Sequence, residues 1–338
     1  MIVVTGANGF IGSNLAATLA SRGRHGLVLV DDYPELGGPG VSSDPPATCR
    51  YPLSGVQACY LHYERLPGWL EREGGEVESI LHMGACSDTT VTDRAYVLRV
   101  NTQYSQTLWR WCAAAKRPLI YASSASTYGD GSRGFDDEAD PLGYEPLNLY
   151  GRSKHLFDLW ALEQSAAPPR WAGLKFFNVY GPQEGHKGRM ASMGWHWRRQ
   201  IEQTGEARLF KSYRADVADG EQKRDFIYVD DVVDATLHLL HAPVTAEAPN
   251  GLYNVGTGGA RSFADLARAV FSAMGMPAKL VFIPMPQDLR EQYQYFTQAT
   301  VAKLRRAGFE RSMRSVEQGM VEYVARCGKG EPSEAQRA

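Results

Sequence analysis

Apolar and polar positions alternate along the first half of the chain between short all-apolar runs and longer stretches with helical spacing. Ile2–Thr5 is a short apolar run that predicts a buried strand, and Ile11–Arg22 follows with apolar residues at helical intervals. Leu27–Val30 predicts a second strand, ending in Asp31 and Asp32, and Ser79–His82 predicts a third after the Gly74-Gly75 break. Tyr96–Ala115 reads as one long helix, Leu119–Ala122 as a strand, Leu149–Gln164 as a helix and Ala172–Phe177 as a strand. Strands that alternate with helices in this way predict an α/β fold, with a parallel sheet covered by helices on both faces.

The pattern changes beyond about Asn178. Phe226–Val229, Leu252–Val255 and Lys279–Ile283 predict strands, divided between the main sheet and a smaller mixed α/β region. The expected organisation is a nucleotide-binding domain over residues 1–177, whose sheet also receives segments from about 226–255, and a substrate-binding region over 178–330. Pro34–Pro52 is too rich in Pro, Gly and Ser for regular structure, and Gly129–Pro146 is a second polar loop. Ser312–Ala338 ends in a charged tail expected to fray.

Composition narrows the class. The chain has 338 residues, 43% of them hydrophobic, enough for a large core. Its formal net charge of −2 gives no electrostatic case for nucleic acid or an anionic membrane. Neither a spanning apolar run nor a signal peptide is apparent. The five cysteines (Cys49, Cys59, Cys86, Cys112, Cys327) are scattered and form no C-x-x-C pair. We read them as reduced thiols, place the protein in the cytoplasm, and expect no metal site.

The chemistry begins at Gly6-Ala7-Asn8-Gly9-Phe10-Ile11-Gly12, between the first strand and the first helix. Glycines let the backbone turn tightly against a pyrophosphate, and the helix start supplies free N–H groups and a positive dipole end. Asp31 and Asp32 stand where a carboxylate holds the adenosine ribose hydroxyls, which suits NAD. Tyr150 and Lys154 form Y-x-x-x-K at a helix start and share one face. A nearby ammonium stabilises a phenolate, so the pair predicts a general base. Ser124 ends a strand upstream, where its hydroxyl can place the reacting oxygen against Tyr150.

Glycine turn, strand-end Ser and Y-x-x-x-K occur in the order found in the extended short-chain dehydrogenases/reductases, and the chain resembles that family over nearly its whole length. The resemblance implies a Rossmann-type doubly wound parallel sheet and matches Asn101 to the family's helix Asn. Phe177–Pro182, Arg224–Val232 and Asn254–Gly258 resemble the sugar-nucleotide members. Gly84–Thr90, Glu184–Ser192 and Tyr293–Ala299 are similar to one branch, the ADP-glycero-manno-heptose 6-epimerases.

That resemblance implies an NAD(P)-dependent isomerase with a tightly bound cofactor. Contacts to the cofactor would come from Gly6, Gly9, Phe10, Ile11, Gly12, Asp31, Asp32, Met83, Gly84, Ala85, Cys86, Ser87, Asn101, Tyr150, Lys154, Val179 and Lys187. Contacts to the ADP-heptose would come from Ser124, Asn178, Arg189, His196, Phe210, Lys211, Ser212, Tyr213, Arg224 and Tyr293. Tyr150 and Lys187 would be acid/base groups on opposite faces of the sugar, and Lys154 would hold the nicotinamide ribose and tune Tyr150. The C6″ hydroxyl would be oxidised to a 6″-ketone and reduced again on its other face. The resemblance further implies a homo-oligomer, often pentameric in the family, and a place in lipopolysaccharide or related glycan synthesis.

Some features depart from the branch. Members commonly carry a Lys in the loop after the second strand, reaching a cofactor 2′-phosphate, and Tyr33–Gly40 has none. The resemblance implies NADP while the residues lean to NAD, so both stay open. Arg189 stands where some members have a small Ser, and Arg214–Glu221 looks inserted between two substrate segments. Two alternatives are another nucleotide-sugar epimerase, such as a UDP-hexose 4-epimerase, and a non-catalytic NAD(P)-binding module. The segment around Lys187 argues against the first. The complete set Ser124, Tyr150 and Lys154 argues against the second. A 4,6-dehydratase would need an Asp-Glu pair after the strand-end Ser, where this chain has Ala125-Ser126.

Overall fold

The structure is a computed structural model that describes residues 1–36, 41–53, 55–290 and 293–327. Its centre is a seven-stranded parallel sheet. The strands are β1 (Ile2–Thr5), β2 (Leu27–Asp31), β3 (Ala58–His62), β4 (Ser79–His82), β5 (Leu119–Ser124), β6 (Trp171–Phe176) and, from later in the chain, Gly251–Val255. From one edge the order is Gly251–Val255, β6, β5, β4, β1, β2, β3. The direction of winding reverses between β1 and β4, and ligands bind at the strand ends beside such a point.

Strand residues alternate between two cores, because successive side chains point to opposite faces. Ile2, Val4, Leu27 and Leu29 pack with Leu15 and Leu19 of helix α1 (Phe10–Ser21) on one face. Val3, Val28 and Val30 pack on the other face with α2 (Leu66–Glu73). The same face is covered by the long helical segment ending at Ala115 and by α5 (Leu149–Leu162). Helices on both faces make the sheet doubly wound, as the alternating pattern predicts. Trp109 is buried in this second core.

Two elements differ from the sequence reading. β3, an edge strand with the run Ala-Cys-Tyr-Leu-His, precedes Ser79–His82, which is therefore the fourth strand. The long helix is interrupted: α3 (Arg94–Leu98) passes through a π-helical turn at Arg99–Gln103 into α4 (Tyr104–Ala115). Wide turns of this kind occur mostly at functional sites, and this one contains Asn101.

The later residues build a third core. Strand β7 (Asn178–Tyr180) leads to α6 (Met193–Thr204) and β8 (Ala207–Phe210). Next come β9 (Lys223–Arg224), β10 (Phe226–Tyr228) and α7 (Val229–His241), with Gly251–Val255 now numbered β11. β12 (Arg261–Ser262), α8 (Phe263–Ala273) and β13 (Leu280–Ile283) complete the strands. Of the later segments, β11 pairs with β6, β10 pairs with β7 in a separate ladder, and β13 pairs with β8. α7 joins α1 on the first face, while Trp195, Trp197, Leu266 and Met320 share the separate core. Within the tail, Val316–Cys327 is helical, and 328–338 lies outside the described residues. Among the described residues no helix is long and apolar enough to cross a membrane.

Candidate active site

Backbone packing dictates the glycines of the first turn. Gly6 has φ +69°, and a Cβ there would lie 2.6 Å from the Gly84 nitrogen. A Cβ on Gly12 would lie 2.0 Å from the Gly6 carbonyl oxygen. Gly9 precedes α1 and offers no side-chain cap. The helix start is thus left to a ligand, and the close-packed turn has the shape of a diphosphate cradle. A dinucleotide fits this chain on those grounds.

At the ribose end, Asp31 accepts from the Asn8 amide at 2.7 Å and from the Asp32 amide at 2.8 Å. Burial pushes its carboxyl up, and those two bonds oppose the rise. Asp32 is exposed and lies 3.2 Å from His62 Nε2. Arg50 folds back onto Asn8, donating from its amide to Oδ1 at 2.7 Å and from its guanidinium to the carbonyl at 3.0 Å. Acid and guanidinium therefore share the ribose end, consistent with either dinucleotide. Gly37–Gly40, part of the loop without a Lys, lies outside the described residues.

Beyond β4, the Gly84 amide donates to Thr5 Oγ1, which meets His82 Nδ1 at 2.6 Å. His82 Nε2 meets Ser105 at 2.8 Å. Burial pushes His82 down to about 3, so the ring is a neutral strut. Asn101 holds both sides of the Cys86 peptide, accepting from its amide at 2.8 Å and donating to its carbonyl at 3.0 Å. It also donates to Ser153 Oγ at 2.9 Å, next to Lys154. The Met83–Ser87 strand-end loop is thereby fixed against α5. Burial pushes the Cys86 thiol up, so it stays neutral.

Ser124 ends β5 and lies 2.7 Å from Ser126 Oγ. Burial pushes the Tyr150 phenol up, and a hydrogen bond with Ser124 works against that rise. Lys154 donates to the Ala122 carbonyl at 2.8 Å, because a buried ammonium requires an acceptor and the end of β5 provides one. Burial brings Lys154 down to about 8, while Asp158 pulls it upward.

Sequence reasoning missed Asp158 and Lys175. Asp158 is fully buried one turn beyond Lys154, accepting from Tyr121 at 3.0 Å, Ser123 at 2.6 Å and Lys175 at 3.0 Å. Two signals were available. Asp158 extends the i, i+4 series of Tyr150 and Lys154, and Lys175 interrupts an otherwise apolar buried strand.

Lys187 lies in a 3₁₀ segment, Gly185–Met190. Its ammonium lies 5.1 Å from the centre of the Phe10 ring at the start of α1, a cation–π contact. Burial pushes Lys187 down and Glu184 pulls it up. Arg189 is exposed and donates to Thr90 in the loop after β4. His196 lies 3.4 Å from the Arg189 carbonyl.

Arg224 is buried between the rings of Phe263 at 5.5 Å and Tyr293 at 5.3 Å. Arg224, Tyr293, Gln294, Ser126 and Asn148 line a cavity of about 170 Å³, which joins the Ser124 strand end to the later residues. Phe210, Lys211, Ser212 and Tyr213 do not line it. Tyr213 instead meets Tyr295 at 3.0 Å and Arg290 at 2.9 Å. Asn178 is exposed and Val179 partly so, at the start of β7. A larger opening of about 460 Å³, lined by Arg22, Asp234, His238 and His241, contains none of the predicted residues. Volume alone does not identify the site.

Residues 2–256 match the NAD dependent epimerase/dehydratase family. The chain is similar to an ADP-L-glycero-D-manno-heptose-6-epimerase of Fusobacterium nucleatum, 42% identical with 96% of this chain and 97% of that one covered. It is also similar to one from Nitratidesulfovibrio vulgaris, 42% identical with the same coverage. Among solved structures, it is similar to the Helicobacter pylori ADP-L-glycero-D-manno-heptose-6-epimerase. There the TM-score is 0.76 and the identity 26%, covering 97% of this chain and 96% of that one.

Proposed function

The chain belongs to the NAD-dependent epimerase/dehydratase family, and from that premise we propose that it inverts C6″ of ADP-glycero-manno-heptose, from D-glycero to L-glycero. The observation that carries this reading is the position of Lys187. It reaches the start of α1 at Phe10 from a chain segment separate from Tyr150. A reaction that takes the C6″ hydroxyl proton in one orientation of the sugar and returns a proton to that oxygen in the other is served by two such groups. The 42% identity to the F. nucleatum enzyme along the whole length supports the heptose as substrate.

Within this reading, residues 1–177 hold the cofactor and 178–330 mostly hold the nucleotide sugar. Gly6, Gly9, Gly12 and the start of α1 cradle the diphosphate of NAD(P), and Asp31 takes the ribose. Bound NAD(P) supplies reversible hydride acceptance. Ser124 binds the C6″ oxygen, and Tyr150 or Lys187 removes its proton as C6″ gives up a hydride. The 6″-ketone then presents its other face, C6″ regains the hydride, and the second acid/base group returns the proton. Arg224 suits the substrate pyrophosphate, because a guanidinium grips phosphate oxygens in a bidentate fork. The reading also carries an assembly of identical subunits in the cytoplasm, supplying heptose for a surface glycan.

The test is incubation of the purified protein with ADP-D-glycero-D-manno-heptose, without added cofactor, following C6″ by NMR. We expect an equilibrium mixture of the two epimers, with NAD or NADP released on denaturation. Inversion of a UDP-hexose at C4, with the heptose untouched, would overturn the substrate assignment.

A further inference from the structure

Glu184 opens the segment that carries Lys187, and its surroundings differ from those of any surface acid. The side chain is fully buried. One carboxylate oxygen accepts from the Gly181 amide at 3.2 Å and from the Ser192 hydroxyl at 2.7 Å. The other accepts from the Ser192 amide at 2.6 Å. The Glu184 carbonyl accepts from the Lys187 amide at 3.0 Å. One residue therefore closes the turn at both ends.

The turn needs closing. Gly181, Gln183 and Gly188 all have positive φ, at +149°, +71° and +53°. The two glycines adopt such angles freely, but Gln183 keeps its positive φ only where its surroundings over-determine it. Asn14 of α1 holds the same stretch through the Pro182 carbonyl at 3.0 Å. Tyr51 holds it through the Gln183 carbonyl at 2.9 Å.

The charges around Lys187 can be named. Burial pushes the Glu184 carboxyl up, and Lys187, acting through space, works against that rise, as Glu184 works against the fall that burial imposes on Lys187. His186 faces Tyr51, 3.3 Å away. Arg189 turns out towards Thr90 and Asp88, with the His196 ring against its carbonyl. From α1 the neighbour is the uncharged Phe10 ring. The negative charge acting on the Lys187 ammonium is thus that of Glu184.

We propose that Glu184 is the positioning residue of Lys187, closing the turn that carries it and placing a buried carboxyl in that same turn. This rests on the reading of Lys187 as an acid/base group. Removing a nearby negative charge disfavours the ammonium. In Glu184→Gln the fraction of neutral Lys187 amine at neutral pH should rise several-fold. One limb of the pH profile of kcat/KM should move down to match while the other limb stays in place.

The experiment is pH-dependent competitive amine labelling of the holoenzyme, resolved at Lys187 by peptide mass spectrometry, beside the pH profile. Glu184→Asp keeps the charge on a shorter stem. It should hold the Lys187 titration close to wild type while lowering kcat, which keeps the test decisive if the Gln variant does not fold. An unmoved Lys187 titration in Glu184→Gln, or an equal shift in both variants, overturns the proposal. Lys187→Met separates the two readings. If it retains wild-type turnover, the acid/base role of Lys187 fails. If it is inactive while Glu184→Gln leaves the titration in place, only the role of Glu184 fails.

Discussion

Tyr150 sits in the first turn of a fourteen-residue helix packed on the seven-stranded sheet, whereas Lys187 sits in a six-residue 3₁₀ segment with Gly188 at φ +53° inside it. Regular structure supports the first. Asn148 caps α5 by accepting from the Gly151 amide at 2.8 Å, and the Asp158–Lys175 pair anchors the helix to β6 from beneath. The buried Glu184 carboxylate, with Asn14 and Tyr51 on the backbone carbonyls, supports the second. In the proposed reading, one acid/base group is held by a helix whose hydrogen bonds repeat and the other by a turn held through scattered side chains. The two arrangements should fail differently when perturbed.

The largest expected effect is on the helix side. Tyr150→Phe keeps the ring and removes the proton carrier, so turnover should fall about 10²–10⁴-fold. Cofactor content and melting temperature should stay at wild-type values, measured by release on denaturation and by thermal unfolding. Wild-type turnover in that variant would remove Tyr150 from the proton path and leave Lys187 alone in it.

Next comes the anchor beneath α5. Lys175→Met removes one partner of a pair whose side chains are 1% and 0% exposed, leaving Asp158 as an uncompensated buried charge. Breaking such a pair costs about 3–5 kcal/mol. Denaturant unfolding should show a loss of that order. A loss under 1 kcal/mol would mean that Tyr121 and Ser123 satisfy Asp158 without the lysine, and the contrast with the Lys187 side would weaken.

The smallest effect is at the turn. Gly188→Ala places a Cβ in open space, so its cost is only that of a backbone at φ +53° and ψ −124°, a region open mainly to glycine, about 1–3 kcal/mol. We expect a melting temperature lower by about 2 °C and turnover reduced several-fold. Unchanged turnover would show that the turn tolerates displacement and that Lys187 is held mainly by its contact with Phe10.

Much of the sheet was readable along the chain, because a strand buried on both faces must be a continuous apolar run, as in Ile2–Thr5 and Leu27–Asp31. β3 escaped although Ala58–Leu61 is apolar, because it is short and carries none of the β-branched residues that mark β1 and β2. The π-helical turn at Asn101 escaped for a different reason. Its residues have ordinary helical spacing, and only the reach of Asn101 to the Cys86 peptide marks it. Glu184 carried no signal, since a glutamate in a Gly-rich polar loop normally faces water.

The sequence by itself determined the element order, the glycine turn and the i, i+4 placement of Tyr150 and Lys154 on one helix, because each is legible in residues close together in the chain. Glycine identity at 6 and 12 is a steric requirement, and i, i+4 spacing is a property of any helix. Only the tertiary structure decided which charges are buried and which acceptors they find. It set Lys154 on the Ala122 carbonyl, Asp158 on Lys175 across the α5–β6 contact, and Arg224 against Tyr293. Desolvation and long-range hydrogen bonds depend on which distant segments pack together, and a linear pattern does not encode that directly.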